Sequence, residues 1–251
     1  MKFGRGRAAR DFTERLRLYE KARSKSTWRP DVDIDWEKPS ILKGNKRELA
    51  HKIACTGTYT EEIGLFVCAR LLQEIDDLPA RYALALQISD EAKHSEVFTR
   101  YIHVNFGEEP PPPTESIKKI SDDLSSIRTP EALFFVHTAL EGFASDQFSF
   151  LMRAFRGDTL HDIYKYVLKD EVRHINLGIE YLVFALHQGL SEQALNEIQW
   201  CEANIRMIGF VNSELMTWLS EISGAPAADI AHVFEKNHQA RLQRIWKGVR
   251  Q

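Results

Sequence analysis

Six residues, Glu61, Glu91, His94, Glu141, Glu171 and His174, constrain this chain more than any other feature. They are one three-residue pattern written twice. Glu141, Glu171 and His174 each lie 80 positions after their counterparts. The last two members of each copy form Glu-x-x-His, inside the near-matching strings Asp90-Glu-Ala-Lys-His94 and Asp170-Glu-Val-Arg-His174. Residues i and i+3 share one face of a helix, so each Glu and its His can reach a common target. Four carboxylates and two imidazoles in this order are the ligand set of a four-helix bundle that holds two metal ions.

The spacing within each copy sets the topology. Glu61 and Glu141 stand 30 residues before their Glu-x-x-His partners. A helix rises about 1.5 Å per residue, so this distance accommodates one long helix, a tight turn and a return to the same level. Two such hairpins packed face to face place six ligands around one cavity. Imidazole suits iron, and carboxylates suit iron or manganese. The faces that carry the first Glu of each copy are mostly small or apolar. Glu61 shares its face with Ala54, Gly57, Gly64, Leu65, Cys68 and Leu72. Glu141 shares its face with Phe134, His137, Thr138, Ala144, Ser145, Phe148 and Met152. A lone carboxylate on such a stripe is costly to bury, and metal binding offsets that cost. Glu62 competes with Glu61 for the first position. The 80-residue offset selects Glu61.

The rest of the chain is consistent with one helical domain. At 251 residues and 43% hydrophobic content it can bury a full core. The boundaries read as a polar lead-in over 1–45, a first helix hairpin over 46–107, a Pro-rich crossover over 108–128, a second hairpin over 129–189, and extra helices over 190–251. Four prolines at 110–113 cannot continue a helix and favour an extended spacer. Thr129-Pro130 is a helix start. Ser191 caps a fifth helix of roughly 30 residues, and a sixth follows from about Ala227. No strand pattern is evident. The fold class expected is all-α, a four-helix bundle with additional C-terminal helices.

Composition excludes several functions. The net charge of −3 carries no general polyanion-binding character, so nucleic acid is not expected as a partner. The first 30 residues are locally basic, with Lys2, Arg5, Arg7, Arg10, Arg15, Arg17, Lys21, Arg23, Lys25 and Arg29. Such an arm is ordinarily a solvated terminus. The N-terminus lacks the apolar run of a signal peptide, and no apolar run reaches the ~18 residues of a membrane span. Cys55, Cys68 and Cys201 are too widely spaced for a disulfide framework or a zinc site. A cytoplasmic protein without membrane attachment is expected.

On Glu61, Asp90-Glu91-x-x-His94, Glu141 and Asp170-Glu171-x-x-His174, the chain resembles the ferritin-like di-iron carboxylate proteins over about residues 45–190. Within them it looks most like the oxygen-activating branch of oxidases and oxygenases, which includes monooxygenases and ligand-binding oxidases. Asp33-Ile-Asp-Trp36 is similar to the lead-in of some members. The resemblance implies two iron ions, with Mn/Fe as a variant pair, and an O2-dependent oxidation of a small organic substrate. The alternative it admits is a metal-handling or peroxide-scavenging protein without an organic substrate. An electron-donor protein and a homodimer are further partners such chemistry admits.

The resemblance also assigns roles. Asp90 would hold His174 and Asp170 would hold His94, in a crossed pairing. Ser145 stands four residues after Glu141, where monooxygenases often carry Thr. The position of a radical-storing tyrosine in ribonucleotide reductase small subunits is Phe98 here, with Tyr101 three residues on. Val167 replaces a third His found in arylamine N-oxygenases. Leu65, Cys68, Phe98, Ser145 and Phe148 fall one or two turns past ligands and are the expected pocket walls. His137 and His51 are further imidazoles whose roles the sequence leaves open.

Iron-loaded protein is therefore expected to carry about two metal ions per chain by elemental analysis. His94→Ala and Glu171→Ala should each lower that value. Full occupancy in either variant would refute the ligand assignment.

Overall fold

The computed structural model describes residues 5–25, 27–205 and 213–248. Among them lie ten helices and no strand. Four long helices form the bundle: α3 (Gly44–Glu74), α4 (Leu78–Phe106), α6 (Pro130–Ala154) and α7 (Thr159–Gln188). The others are α1 (Arg5–Arg23), α2 (Pro30–Asp33), α5 (Glu115–Ser126), α8 (Glu192–Ile205), α9 (Ser213–Ser223) and α10 (Ala227–Gly248). No described helix is long and apolar enough to cross a membrane.

Each pair of long helices is an antiparallel hairpin, as the register of contacts shows. Gly57 faces Phe98 and Gly64 faces Glu91, so partners fall along α4 as positions rise along α3. In the second pair Thr138 meets Gly178, and the carbonyl of Met152 meets His161. The turns are short because their ends are capped. The Asp77 carboxylate accepts from Ala80 N–H at the start of α4, with Pro79 at a position that lacks a helical donor partner anyway. Asp158 accepts from Leu160 N–H at the start of α7. Gly107 closes α4 in the left-handed conformation, φ 73°, which a side chain disfavours. Pro110–Pro113 lie outside any helix, and the Tyr59 hydroxyl donates to the Pro111 carbonyl to pin the spacer on α3.

The interior is two apolar clusters rather than one. The first joins the C-terminal half of α3 and the N-terminal half of α4 to Ala132–Phe143 of α6 and Ile175–Ala185 of α7. The second joins Leu49–Cys55 of α3 and Val97–Ile102 of α4 to Phe148–Phe155 and Leu160–Val167. Between them, at mid-height of the bundle, lies a layer of buried polar residues.

One expectation needs correction. The lead-in over 1–45 is not merely polar: it contains α1 and α2. The periodicity of α1 is hard to read because arginine stems and isolated aromatics do its packing. Arg15 lies 3.7 Å over the Phe184 ring and pairs with Asp77 at 2.7 Å, and Tyr19 packs on Tyr82. Part of the basic arm is thus engaged within the molecule. Lys2 lies outside the described residues. The fifth helix is described as α8 and α9, with 206–212 between them outside the described residues. The C-terminal α10 is docked on the bundle by Asn237 and Arg241, both donating to Asp146 at 2.8 Å. A Cβ at Gly142 would run into the Arg241 side chain as it now lies, so the glycine leaves room for this approach.

Asp77 has two jobs, cap and ion-pair partner. Asp77→Ala is expected to lower the unfolding free energy by about 1–3 kcal/mol. Asp77→Asn keeps the cap and loses only the pair, so its loss should be smaller. Urea midpoints of the two variants check this, and equal losses would refute the cap.

Candidate metal centre

The polar layer is built by four helices, each supplying ligand-type residues at the same height. Glu61, Glu91, His94, Glu141, Glu171 and His174 are all buried there, none more than 7% exposed. Glu62, one position round the helix, is exposed, so the structure turns Glu61 inward and Glu62 to solvent.

The six side chains divide into two half-sites. His94 Nδ1 lies 3.2 Å from Glu61 Oε2, 3.5 Å from Glu91 Oε2 and 3.3 Å from Glu171 Oε1. His174 Nδ1 lies 3.3 Å from Glu91 Oε1, 3.7 Å from Glu141 Oε2 and 3.6 Å from Glu171 Oε2. Glu91 and Glu171 therefore offer one oxygen to each half, and Glu61 and Glu141 serve one half each. Donors that share an ion at about 2.1 Å stand roughly 3–4 Å apart, which these spacings match. Both carboxylate oxygens of Glu171, and His174 Nδ1, are buried without a hydrogen bond in the protein. Buried orphans of this kind are rare in native proteins and fit groups that bind a cation.

Outside the layer a second set of groups fixes the imidazoles. His94 Nε2 meets Asp170 at 3.2 Å and His174 Nε2 meets Asp90 at 3.3 Å. The pairing crosses between hairpins. With Nε2 held by a carboxylate, each Nδ1 faces the centre and would supply its lone pair to an ion once its proton is displaced. Arg173 clamps both aspartates, donating to Asp170 at 2.7 Å and to Asp90. Lys93 lies 3.0 Å from Asp90 and 3.1 Å from Asp170. Burial alone would raise both aspartates, but the histidines and the guanidinium pull them well below the ordinary carboxylate range.

The inner carboxylates behave differently. Burial, reinforced by Glu91, pushes Glu61 up to about 8. Burial and the neighbouring Glu141 push Glu171 well above its ordinary range. Burial opposes a charge on His94 and His174, yet the surrounding carboxylates outweigh it and raise both. Burial would raise Glu141 too, but His137, Glu171 and His174 hold it well below the ordinary carboxylate range, so the protons that a cation would displace sit on Glu61 and Glu171.

Three contributors were not evident from sequence. Gln87 donates to Glu91 Oε1 at 3.1 Å and Glu141 Oε1 at 3.0 Å, and lies 2.8 Å from His137 Nε2. It stands one turn before Glu91, a spacing that could have flagged it. Trp28, from the segment before α2, donates to Asp170 at 2.7 Å. Nothing local marks it, because the contact spans 142 residues. Tyr164 lines the cavity described next, two turns before Glu171 on the same face.

His137 holds Glu141 Oε1 at 3.2 Å and lies 3.1 Å from Cys68 Sγ, so it braces a ligand-type residue from behind. His51 pairs with Glu108 outside the layer. The Tyr101 hydroxyl donates to Asp158, at the cap of α7.

A cavity of about 130 Å³ opens on Glu61, Glu91, Glu141 and Glu171. Of the expected walls only Phe148 lines it, and Leu65, Cys68, Phe98 and Ser145 do not. The reason is rotation: successive helical residues turn by about 100°. Gly64 and Ala144, three positions after their glutamates, face the cavity, whereas Leu65 and Ser145, four positions after, turn away from it. Phe98 instead packs on Gly57 and Tyr164. Ser145, expected beside the reacting centre, has no contact with it through this cavity.

Among solved structures, the fold is similar to an R2-like ligand-binding oxidase with an aerobically reconstituted Mn/Fe cofactor. That protein is 19% identical, with a TM-score of 0.70 over 92% of each chain. A variant of an R2-like ligand-binding oxidase is 21% identical, with a TM-score of 0.69 over 92% of this chain and 93% of its own. The fold is thus the all-helical, ferritin-like bundle with additional helices. No protein-family model and no curated protein matches the sequence.

The raised groups predict a pH dependence. A carboxylate with a raised folded pKa holds a proton that the unfolded chain releases above its ordinary value. Stability of metal-free protein must then fall as pH rises from about 4.5 toward 8, and the raised histidines act in the same direction. A melting-temperature drop on the order of 5 °C from pH 6 to 8 is expected, absent from protein loaded with Mn(II). Loading at pH 7 should release at least one proton per chain, measured by calorimetry in two buffers of different ionisation enthalpy. No proton release would refute this account of the layer.

Proposed function

We propose that the chain is an O2-dependent dimetal oxidase or oxygenase that acts on a small organic molecule. The observation that carries the reading is the geometry of the cage. Four buried glutamates and two Nδ1 atoms form two half-sites that share Glu91 and Glu171, and an apolar cavity opens on the same carboxylates. The fold neighbours that are named oxidases with a Mn/Fe cofactor support it. In this reading Glu61, Glu91, His94 and Glu171 hold one ion, and Glu91, Glu141, Glu171 and His174 hold the other. The pair is Fe/Fe or Mn/Fe. When bound, the ions supply the electrons that O2 requires and the oxidising power turned on the substrate, and a donor protein restores them.

The protein's own residues set the conditions. Glu91 and Glu171 would each lend one oxygen to either half-site. Asp90 and Asp170 orient His174 and His94, and Arg173 keeps both aspartates charged and in place. Gln87 and His137 hold the outer oxygen of Glu141. The apolar walls exclude water, so oxidising equivalents meet the substrate rather than solvent. Three free, buried cysteines accord with work in the reducing cytoplasm. The alternative, metal handling or peroxide scavenging, calls for a polar path to the ions, and the apolar cavity favours the oxidase.

Protein loaded with Fe(II), alone or with Mn(II), should consume O2 at a rate that one class of small organic compound raises. Glu171→Ala should abolish the increase. Bound metal with rapid peroxide consumption, and O2 uptake indifferent to every compound, would favour the alternative.

A further inference from the structure

The cavity over the glutamates is specific enough in size, charge and polarity to restrict its occupant. Its volume is about 130 Å³, near the ~150 Å³ of a protein cavity that accommodates benzene. The walls are mainly aliphatic: Ile63 and Val67 of α3, Ile117, Ile120 and Leu124 of α5, and Leu140 of α6. The amphipathic α5 thus presents its apolar side to the cavity. No lysine or arginine is among the described lining residues.

Charge decides against an anion. Two divalent ions balance four glutamates, so a loaded centre is formally neutral. A carboxylate in this cavity would lose its hydration with no cationic side chain to replace it, at a cost of several kcal/mol. A neutral molecule incurs no such cost, and the aliphatic walls reward its apolar surface. The few polar wall atoms fit a single polar group. Thr56 and Thr60 donate to their own helix, to Lys52 O at 3.0 Å and Gly57 O at 3.1 Å, and keep lone pairs as acceptors. Gln147 and the Tyr164 hydroxyl make no hydrogen bond to another described residue and line the same space.

We propose that this cavity takes a neutral, mostly apolar molecule about the size of one substituted six-membered ring, bearing one hydrogen-bonding group. That this molecule is the substrate rests on the oxidase reading. Its binding to the cavity does not.

The test uses the full-length chain, metal-free and loaded with Mn(II), with p-cresol, toluene, benzoate and dodecanoate as probes in ligand-observed NMR. p-Cresol and toluene are expected to bind both forms, with benzoate and dodecanoate at least tenfold weaker. Ala144→Phe should fill the cavity and weaken p-cresol at least tenfold. Ile120→Trp, on the roof, should do the same if the first variant fails to fold. Circular dichroism identifies the folded variants. Tighter binding of benzoate or dodecanoate, or p-cresol binding that survives both substitutions, would overturn the inference. Ring binding without any O2 chemistry would sink only the oxidase reading, and O2 chemistry without ring binding would sink only this one.

Discussion

Four carboxylates buried at mid-height in a helical bundle are the constraint on which the rest of this structure depends. Each would cost several kcal/mol to desolvate alone, and together they repel one another. The chain meets that cost in layers. Two imidazoles stand among the carboxylates, two aspartates stand behind the imidazoles, and Arg173, Lys93 and Trp28 stand behind the aspartates. The charges alternate outward, so each shell stabilises the one inside it. The innermost shell is left short of positive charge, the deficit that the proposed pair of cations would fill.

The same constraint explains why the core is split. Apolar side chains cannot pack across the polar layer, so they gather above and below it. The two clusters pack the helices together on either side of the layer. In the proposed reading, packing on both sides of the layer would keep Glu91 and Glu171 placed between the two half-sites. Gly64 shows how tight the fit is: a Cβ there would come within 3.2 Å of the Glu91 carboxyl carbon.

The 80-residue repeat survives in the cavity, and its imperfections shape it. Gly57 and His137, Thr60 and Leu140, Glu61 and Glu141, Gly64 and Ala144, and Val67 and Gln147 are repeat counterparts, and all line the same space. The first copy contributes small residues and a hydroxyl, the second larger ones. The asymmetry leaves room on the α3 side, and α5, from the crossover, covers it. A segment that has no counterpart in the repeat thereby becomes part of the cavity wall.

The ligand-type residues, the hairpins and the crossover were legible in the sequence because helical periodicity and proline act over a few residues. Glu91 with His94 and Glu171 with His174 need only one turn of helix to be brought together. What the sequence left undecided depended on angles and distant contacts. The choice of Gly64 and Ala144 over Leu65 and Ser145 as cavity walls is a rotation of about 100°, set by how the helices pack. The α1 helix hides because its packing rests on arginine stems that read as solvated charge. Trp28 reaches Asp170 only because the lead-in folds back over α7. The sequence by itself determined which residues have metal-ligand chemistry and on which faces they lie, since both follow from local geometry. Only the tertiary structure decided which oxygen faces which imidazole, what stands behind them and how large a molecule fits beside them, because those are fixed by the packing of helices far apart in the chain.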